Sequence, residues 1–332
     1  MAAGNSLLVG LFAFAAWGQT SDKVFYFAHL DTPQALQEVT NAVRAIGDIR
    51  DVSLDVAKRS LTVKGTAEQI AVAGWLTAEM DKPGGATGTR DLPFNDPKAP
   101  LVQVVYLSHV DNPRDLQEIV NAVRSVTDIQ RCFPMNQQKT IVMRGSVEQV
   151  KAADWLLSVL DQPAGAQTGP SATPDYRLAE GVWEARSGLV VRVAALTHID
   201  TPQAIQEVTN VTRSLADIQR CFPILSRRVL VMRGSDDQMA LVAWLLKQFD
   251  GSGGQGTKEF KVGGAGNQNQ IAQVAYLNAA TLESLLETVS AIRTETKMPR
   301  VFGFPTQGAV AMRGTADQLA QAQQVIQSRK AQ

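Results

Sequence analysis

The sequence is poor in the residues that most chemistry needs. It holds 2 cysteines and 3 histidines in 332 residues. There is no Cys-x-x-Cys pair, no Gly-rich phosphate loop and no Ser/His/Asp set, so the residues give no support for catalysis and no cofactor or metal is expected. Lysine plus arginine equals aspartate plus glutamate, 32 each. A chain without net charge has no field to gather phosphate backbones, and no polybasic stretch offers itself to an anionic membrane. Beyond the N-terminus no apolar run approaches the 18 or so residues that a membrane-spanning helix requires.

One apolar run stands at the start, Leu7 to Trp17. It is too short to span a bilayer as a helix and reads as the core of a secretory signal, residues 1–18, with Ala16-Trp17-Gly18 as the small-residue cleavage region. No Lys or Arg precedes it. The alternative is a buried N-terminal segment.

The main content of the chain is repetition. One copy reads Tyr106-Leu107-Ser108-His109-Val110-Asp111-Asn112-Pro113, then Leu116-Gln117-Glu118-Ile119, Cys132-Phe133-Pro134, Ile141-Val142-Met143-Arg144-Gly145 and Leu160-Asp161. The same landmarks recur 89 residues later and, more loosely, 80 residues earlier. A fourth, divergent copy keeps Glu287, Arg293 and Met312-Arg313-Gly314 but lacks the His and the Trp. Self-similarity on this scale decides the organisation before any local feature does.

Each copy reads as β-α-β-β-α, giving an α+β chain of four tandem modules at residues 22–82, 101–162, 188–250 and 270–331. Asn112 is a good N-cap with Pro113 at the first helical position. Leu116, Ile119, Val120, Val123 and Val126 follow at helical spacing. The second helix opens four times with Ser or Thr followed three residues later by Gln: Thr66/Gln69, Ser146/Gln149, Ser235/Gln238 and Thr315/Gln318. That is a capping box, in which each side chain satisfies an orphan N–H of the other residue. The Gly before each cap is expected to give the strand-to-helix corner access to positive φ. The stretches 83–100, 163–187 and 251–270 are Gly/Pro-rich and read as linkers, although Tyr176 to Trp183 is apolar enough to dock. A module of this size closes its own core, so the expectation is tandem domains rather than solenoid turns.

Four sets of recurring residues call for an assignment. His29, His109 and His198 share one position between strand and helix. Each of these three copies supplies one, with no second metal ligand at short spacing, so they read as structural, and Asp31, Asp111 and Asp200 as turn or cap residues. Cys132 and Cys221 occupy a site that is Val52 and Val301 in the other copies, hence an apolar strand position with a reduced thiol. Arg44, Arg124, Arg213 and Arg293 lie near a helix C-terminus, where a cation complements the dipole. A local ion pair with Asp48, Asp128 or Asp217, four residues on, is the simplest reading in the first three.

Trp75, Trp155 and Trp244 are the candidate interface residues. At 100° per residue Val150, Ala153, Leu157 and Leu160 form one stripe, and Trp155 falls roughly opposite it. Either the ring anchors contacts between modules or with a partner, or the first helix packs on that flank and buries it.

A first strand ending in Tyr-Leu, a Leu-Gln-Glu-Ile helix, an Ile-Val-Met-Arg-Gly strand and a last helix closing Leu-Leu-x-x-Leu-Asp resemble the periplasmic N-terminal repeat modules of bacterial secretins. Those are β-α-β-β-α domains, KH-like in shape, that stack into rings beneath an outer-membrane channel. The long amphipathic β region of the channel is not among these residues, so the pore function is not carried over. The resemblance implies a non-enzymatic cell-envelope scaffold of the periplasm, with protein partners or self-association, as an accessory of a secretion or pilus system. The competing readings are a KH-like nucleic-acid binder or an enzyme with an unrecognised site. KH recognition needs a Gly-x-x-Gly loop between helices in basic surroundings, and neither that loop nor the charge is present.

Overall fold

The computed structural model describes residues 20–83, 86–110, 112–163, 174–179, 188–251, 254–264, 266, 267, 269–277 and 281–330. The signal reading, Asp111 and Trp183 fall outside them. The chain divides into two compact units, residues 1–86 and 87–332. It is an α+β protein in which every strand pairing is antiparallel.

The first unit runs β1 (Ser21–Tyr26), α1 (Pro33–Ile46), β2 (Asp51–Asp55), β3 (Ser60–Gly65) and α2 (Ala67–Met80), with sheet order β1-β3-β2. Thr32 caps α1, its hydroxyl accepting from the Ala35 N–H, and Pro33 stands at the first turn. Leu36, Val39, Val43 and Ile46 from α1 meet Leu61 and Val63 from β3 and Val72, Leu76 and Met80 from α2, all buried.

The second unit repeats this order three times, each time with one more strand in front. β4 (Gly88–Pro93) precedes β5 (Leu101–Tyr106), α3 (Pro113–Thr127), β6 (Arg131–Met135), β7 (Thr140–Gly145) and α4 (Val147–Leu160). β8 (Tyr176–Arg177) precedes β9 (Leu189–Ala195), α5 (Pro202–Leu215), β10 (Arg220–Ile224), β11 (Val229–Ser235) and α6 (Asp236–Phe249). β12 (Thr257–Lys261) precedes β13 (Ile271–Tyr276), α7 (Leu282–Thr296), β14 (Arg300–Phe304), β15 (Ala309–Gly314) and α8 (Ala316–Lys330). The sheets are β4-β5-β7-β6, β10-β11-β9-β8 and β12-β13-β15-β14. The Gly/Pro-rich stretches are thus more than linkers, since each contributes an edge strand.

Within the second unit the copies share cores, contrary to the expectation of self-contained domains. One continuous cluster joins Leu116, Ile119, Val123, Leu156 and Leu160 of the second copy to Val191, Val193, Ile224, Val229 and Val231 of the third. Another joins Val208, Val211, Leu245 and Phe249 of the third to Val274, Tyr276, Phe304 and Ala311 of the fourth. The physical reason is that a sheet has two faces. Met143, Met232 and Met312 face their own helices, while alternate residues on the same strands lie on the opposite face, which in the last two sheets is covered by the preceding copy's helices. Each Val, Leu or Ile so buried contributes about 1.5–3 kcal/mol over its exposed state, so the stack is a large part of what holds the unit together.

The capping boxes form as expected at Thr66/Gln69, Ser146/Gln149 and Ser235/Gln238, and Thr315 and Gln318 exchange the same two bonds. Gln has a second task that Glu could not perform. The Gln238 Nε2 donates to the Ala216 and Asp217 carbonyls at 3.0 and 2.8 Å, and the Gln69 Nε2 to the Asp48 carbonyl at 2.8 Å, tying the end of one helix to the start of the next. The Gly before the cap is not there for its φ, which is not positive at Gly65, Gly145, Gly234 or Gly314. A Cβ at Gly65, Gly234 or Gly314 would lie 2.8–2.9 Å from the Oε1 of the capping Gln, so the residue is small because the box needs the space.

Candidate interface between the repeats

The joint between consecutive copies of the second unit rests on charge, a helix end and an aromatic pair. Asp128 and Asp217 end α3 and α5 in the left-handed region, at φ 55° and 54°, which a short polar side chain tolerates. Neither pairs with the Arg four residues before it. Asp128 instead meets Arg220 at 2.8 Å and Arg233 at 2.6 Å, both from the third copy. Asp217 meets Arg300 at 2.5 Å and Arg313 at 3.0 Å, both from the fourth. Arg220 and Arg233 are cross-strand neighbours, as are Arg300 and Arg313. Two adjacent guanidinium groups repel each other until an anion sits between them. Burial, then Arg300, pulls the Arg313 guanidinium below its ordinary value, and Asp217 opposes this.

The helix-end arginines do something else. Arg44 donates to the Val52 carbonyl at 3.0 Å, and Arg213 and Arg293 donate through Nε to the Cys221 and Val301 carbonyls at 2.8 and 3.0 Å. Arg124 reaches the Cys132 carbonyl through Nη2. In the second and third copies the local ion pair predicted from spacing loses because the guanidinium lies over the strand, stacked on Phe133 or Phe222, while the carboxylate turns to the next copy.

Further contacts cross the second-to-third joint. Arg227 donates to the Leu160, Gln162 and His109 carbonyls at 2.6, 3.0 and 2.6 Å, capping the C-terminus of α4 from outside the copy. The Glu118 carboxylate accepts from the Leu225 N–H at 2.9 Å. Trp155 on α4 is half-buried against the shared core, with its ring 5.4 Å from that of Tyr176 on β8. Trp244 on α6 stands likewise, 5.6 Å from Phe260 on β12. Trp75 is half-buried on α2 in the first unit. The buried side of α4 is wider than the stripe through Val150 and Leu157 and includes Ala152 and Leu156, with Trp155 packed at its margin.

The histidines belong to a device that sequence reading missed. The Asp that ends α2, α4 and α6 turns its carboxylate back on the strand-to-helix loop of its own copy. Asp81 accepts from the N–H groups of Ala28, His29 and Leu30 at 2.7, 2.8 and 3.0 Å. Asp161 accepts from Ser108 and His109, and Asp250 from Thr197, His198 and Ile199. The His Nδ1 bonds the same Asp's backbone carbonyl at 2.7, 3.0 and 2.6 Å. The partners are over fifty residues apart, which hid them. One signal was present: the fourth copy has Ala279 and Lys330 at these positions and so lacks both together. The N-caps are Thr32 and Thr201, so Asp31 and Asp200 are not the caps.

Cys132 and Cys221 are free and buried, and burial pushes each thiol up to about 12, Arg124 and Arg213 opposing. Among the described residues no cluster of three or more His, Cys, Asp or Glu could hold a metal ion, and no helix is long and apolar enough to cross a membrane.

No family model matches the chain, and no curated protein matches it. Among solved structures it is similar to the N-terminal domain of the secretin XcpQ from Pseudomonas aeruginosa, at 10% identity and a TM-score of 0.20, over 43% of this chain and 63% of that one. It is similar to Aeromonas hydrophila ExeD at 13% identity and a TM-score of 0.17, over 92% and 55%. A structure of XcpQN012 matches at 14% identity and a TM-score of 0.21, over 68% and 96%. The chain spans less than two thirds of the first of these. Likeness at this level fixes neither family nor function.

Proposed function

We propose that the chain is a non-enzymatic scaffold of the cell envelope, built of secretin-like, KH-shaped β-α-β-β-α modules and acting as an accessory of a secretion or pilus system. The observation that carries the scaffold reading is the stacking of copies through shared cores and Asp–Arg–Arg joints in the second unit. Buried area and recurring residues are spent on holding copies in register, and the Trp rings contribute to those joints or to a partner. The envelope location follows from the apolar run ending at Gly18 and from the sequence resemblance to periplasmic modules.

Cell fractionation with N-terminal sequencing tests the location: mature protein should be found in the envelope, beginning near Gln19. Full-length protein in the cytosol defeats that part of the reading. Crosslinking in envelope extracts tests the scaffold role, with recovery of envelope proteins as the expected result and of the chain alone, as a monomer, as the contrary one.

A further inference from the structure

Three of the four sheets are completed at one edge by a strand from the chain itself. β4, β8 and β12 pair antiparallel with β5, β9 and β13 in one register: Leu92, Tyr176 and Phe260 stand opposite Val102, Val191 and Ala272. In each, an acid immediately precedes that large apolar residue: Asp91-Leu92, Asp175-Tyr176 and Glu259-Phe260. The acid is bonded to one position of the neighbouring strand. Asp91 accepts from the Gln103 Nε2 at 3.0 Å, and Glu259 from the Gln273 Nε2 at 2.7 Å. Asp175 takes both Nε and Nη2 of Arg192 at 2.7 Å each.

Among the described residues the sheet of the first unit has no such strand. Its order is β1-β3-β2, and among the described residues nothing pairs with the outer edge of β1. Register places Lys23, opposite Val63, where Gln103, Arg192 and Gln273 stand opposite Met143, Met232 and Met312. Lys23 is exposed, and on the other face of the same strand Val24 and Tyr26 are 43% and 72% exposed. A free edge offers a ladder of backbone donors and acceptors, and an extended segment adds to it with affinity from the backbone and specificity from alternate side chains.

We infer that the open edge of β1 is a docking site for an extended segment of a partner protein, running antiparallel to β1 and setting an Asp or Glu opposite Lys23 with a large apolar residue next to it. The ammonium selects the acid by charge, as Arg192 selects Asp175, and the apolar residue lies on the face that carries Val24 and Tyr26. The occupant is a different protein rather than a second copy of the chain, because the acid–apolar strands of this chain are already paired in their own sheets. This deepens the scaffold reading by giving the chemistry of one partner, and rests on it for the existence of that partner.

The test uses the full chain and, as probe, a synthetic peptide with the sequence of residues 255–262, its own third edge strand, added in trans and followed by amide NMR. Shifts confined to Ser21–Tyr26 and the strand beside it are expected. Lys23→Glu should weaken binding about fivefold, the scale of one exposed charge pair, and a peptide with Lys in place of its Glu should restore it. Absence of binding, indifference to the sign at position 23, or shifts at Ile271–Tyr276 instead would overturn the inference. So would binding seen only after residues 1–19 are removed. The titration reads the edge alone, so its failure leaves the fractionation and crosslinking results standing, and their failure leaves the titration standing.

Discussion

The third strand of the first copy reads Ser60-Leu-Thr-Val-Lys-Gly65, and that of the third copy reads Val229-Leu-Val-Met-Arg-Gly-Ser235. Both lie in the middle of an antiparallel sheet and both bury Leu61 or Leu230 and Val63 or Met232 on the helix side. They differ on the other face, where Thr62 and Lys64 stand in place of Val231 and Arg233. Around them the first sheet sets Asp22, Asp51 and Ser53 where the third has Val191, Arg220 and Phe222. Asp51 and Lys64 are cross-strand neighbours of opposite charge, whereas Arg220 and Arg233 are of like charge and need an anion from outside. The far end of the second unit shows the same change on a helix. α7 exposes Ser284 and Glu295, and ends in Lys297, where α5 buries Ala204 and Leu215 and ends in Asp217.

The sharpest way to break this comparison is to give both sheets the same charge. Val231→Asp puts an unpaired carboxylate into a shared core and should cost more than about 4 kcal/mol, or prevent cooperative folding. Thr62→Asp in the first copy should cost less than about 1 kcal/mol. Urea denaturation of the two variants reads the difference, and equal losses would mean that the first sheet is covered as the third is.

Next in size is the joint itself. Asp217→Ala leaves Arg313, which is 2% exposed, beside Arg300 without its anion. The loss should be about 2–3 kcal/mol, below the full cost of breaking a buried pair because the Asp217 side chain is partly in water. Asp51→Ala, also at an Asp beside a sheet cation, should stay within about 0.5 kcal/mol. A smaller effect is expected from the aromatic pair: a double-mutant cycle on Trp155 and Tyr176 should give a coupling of about 0.5–1.5 kcal/mol. Zero coupling would remove the ring from the joint.

The smallest effect concerns pH and belongs to the second copy alone. Burial, and beyond it Asp91, raises the Asp154 carboxyl above the ordinary range, against the Gln103 N–H that lowers it. The Gln103 Nε2 donates to both carboxylates at 3.0 Å, while the Asp154 Oδ1 and Gln103 Oε1 are buried without partners. A proton on Asp154 supplies a missing donor. A carboxyl whose folded pKa is raised contributes stability below its unfolded pKa and loses it as pH rises through the folded one. Asp154→Asn should therefore melt no lower than the parent at neutral pH, and its advantage should shrink as pH falls. The first copy has Gly74 and Lys23 at these places and should show no counterpart. A lower melting temperature for the variant at neutral pH would show that the charge is wanted.

What was legible in the sequence was local. Capping boxes, Pro113 after Asn112, the apolar stripe of the first helix and the Val-for-Cys exchange each depend on a few neighbouring residues, and the structure has them as read. What was missed lies between copies. The edge strands were hidden by Gly and Pro, and β8 is only 2 residues long. The Asp–Arg–Arg joints were masked by a closer Arg at helical spacing. The stacking was in fact written in strands apolar on both faces, such as Leu189-Val-Val-Arg-Val-Ala-Ala195, since strands buried on both sides lose their alternation. Thr62 and Lys64 in the first copy kept it.

The joint also constrains how such an array can grow. The third copy receives an anion at Arg220 and Arg233 and offers one at Asp217, so a duplicate of it could be inserted beside itself with every charge still matched. The first copy has no arginine pair to accept an Asp, and the fourth offers Lys297 in place of one. Moved to the middle, either would leave a charge uncompensated. Lengthening by duplication of the third copy is open to this protein, and moving the first or the fourth copy to the middle is not.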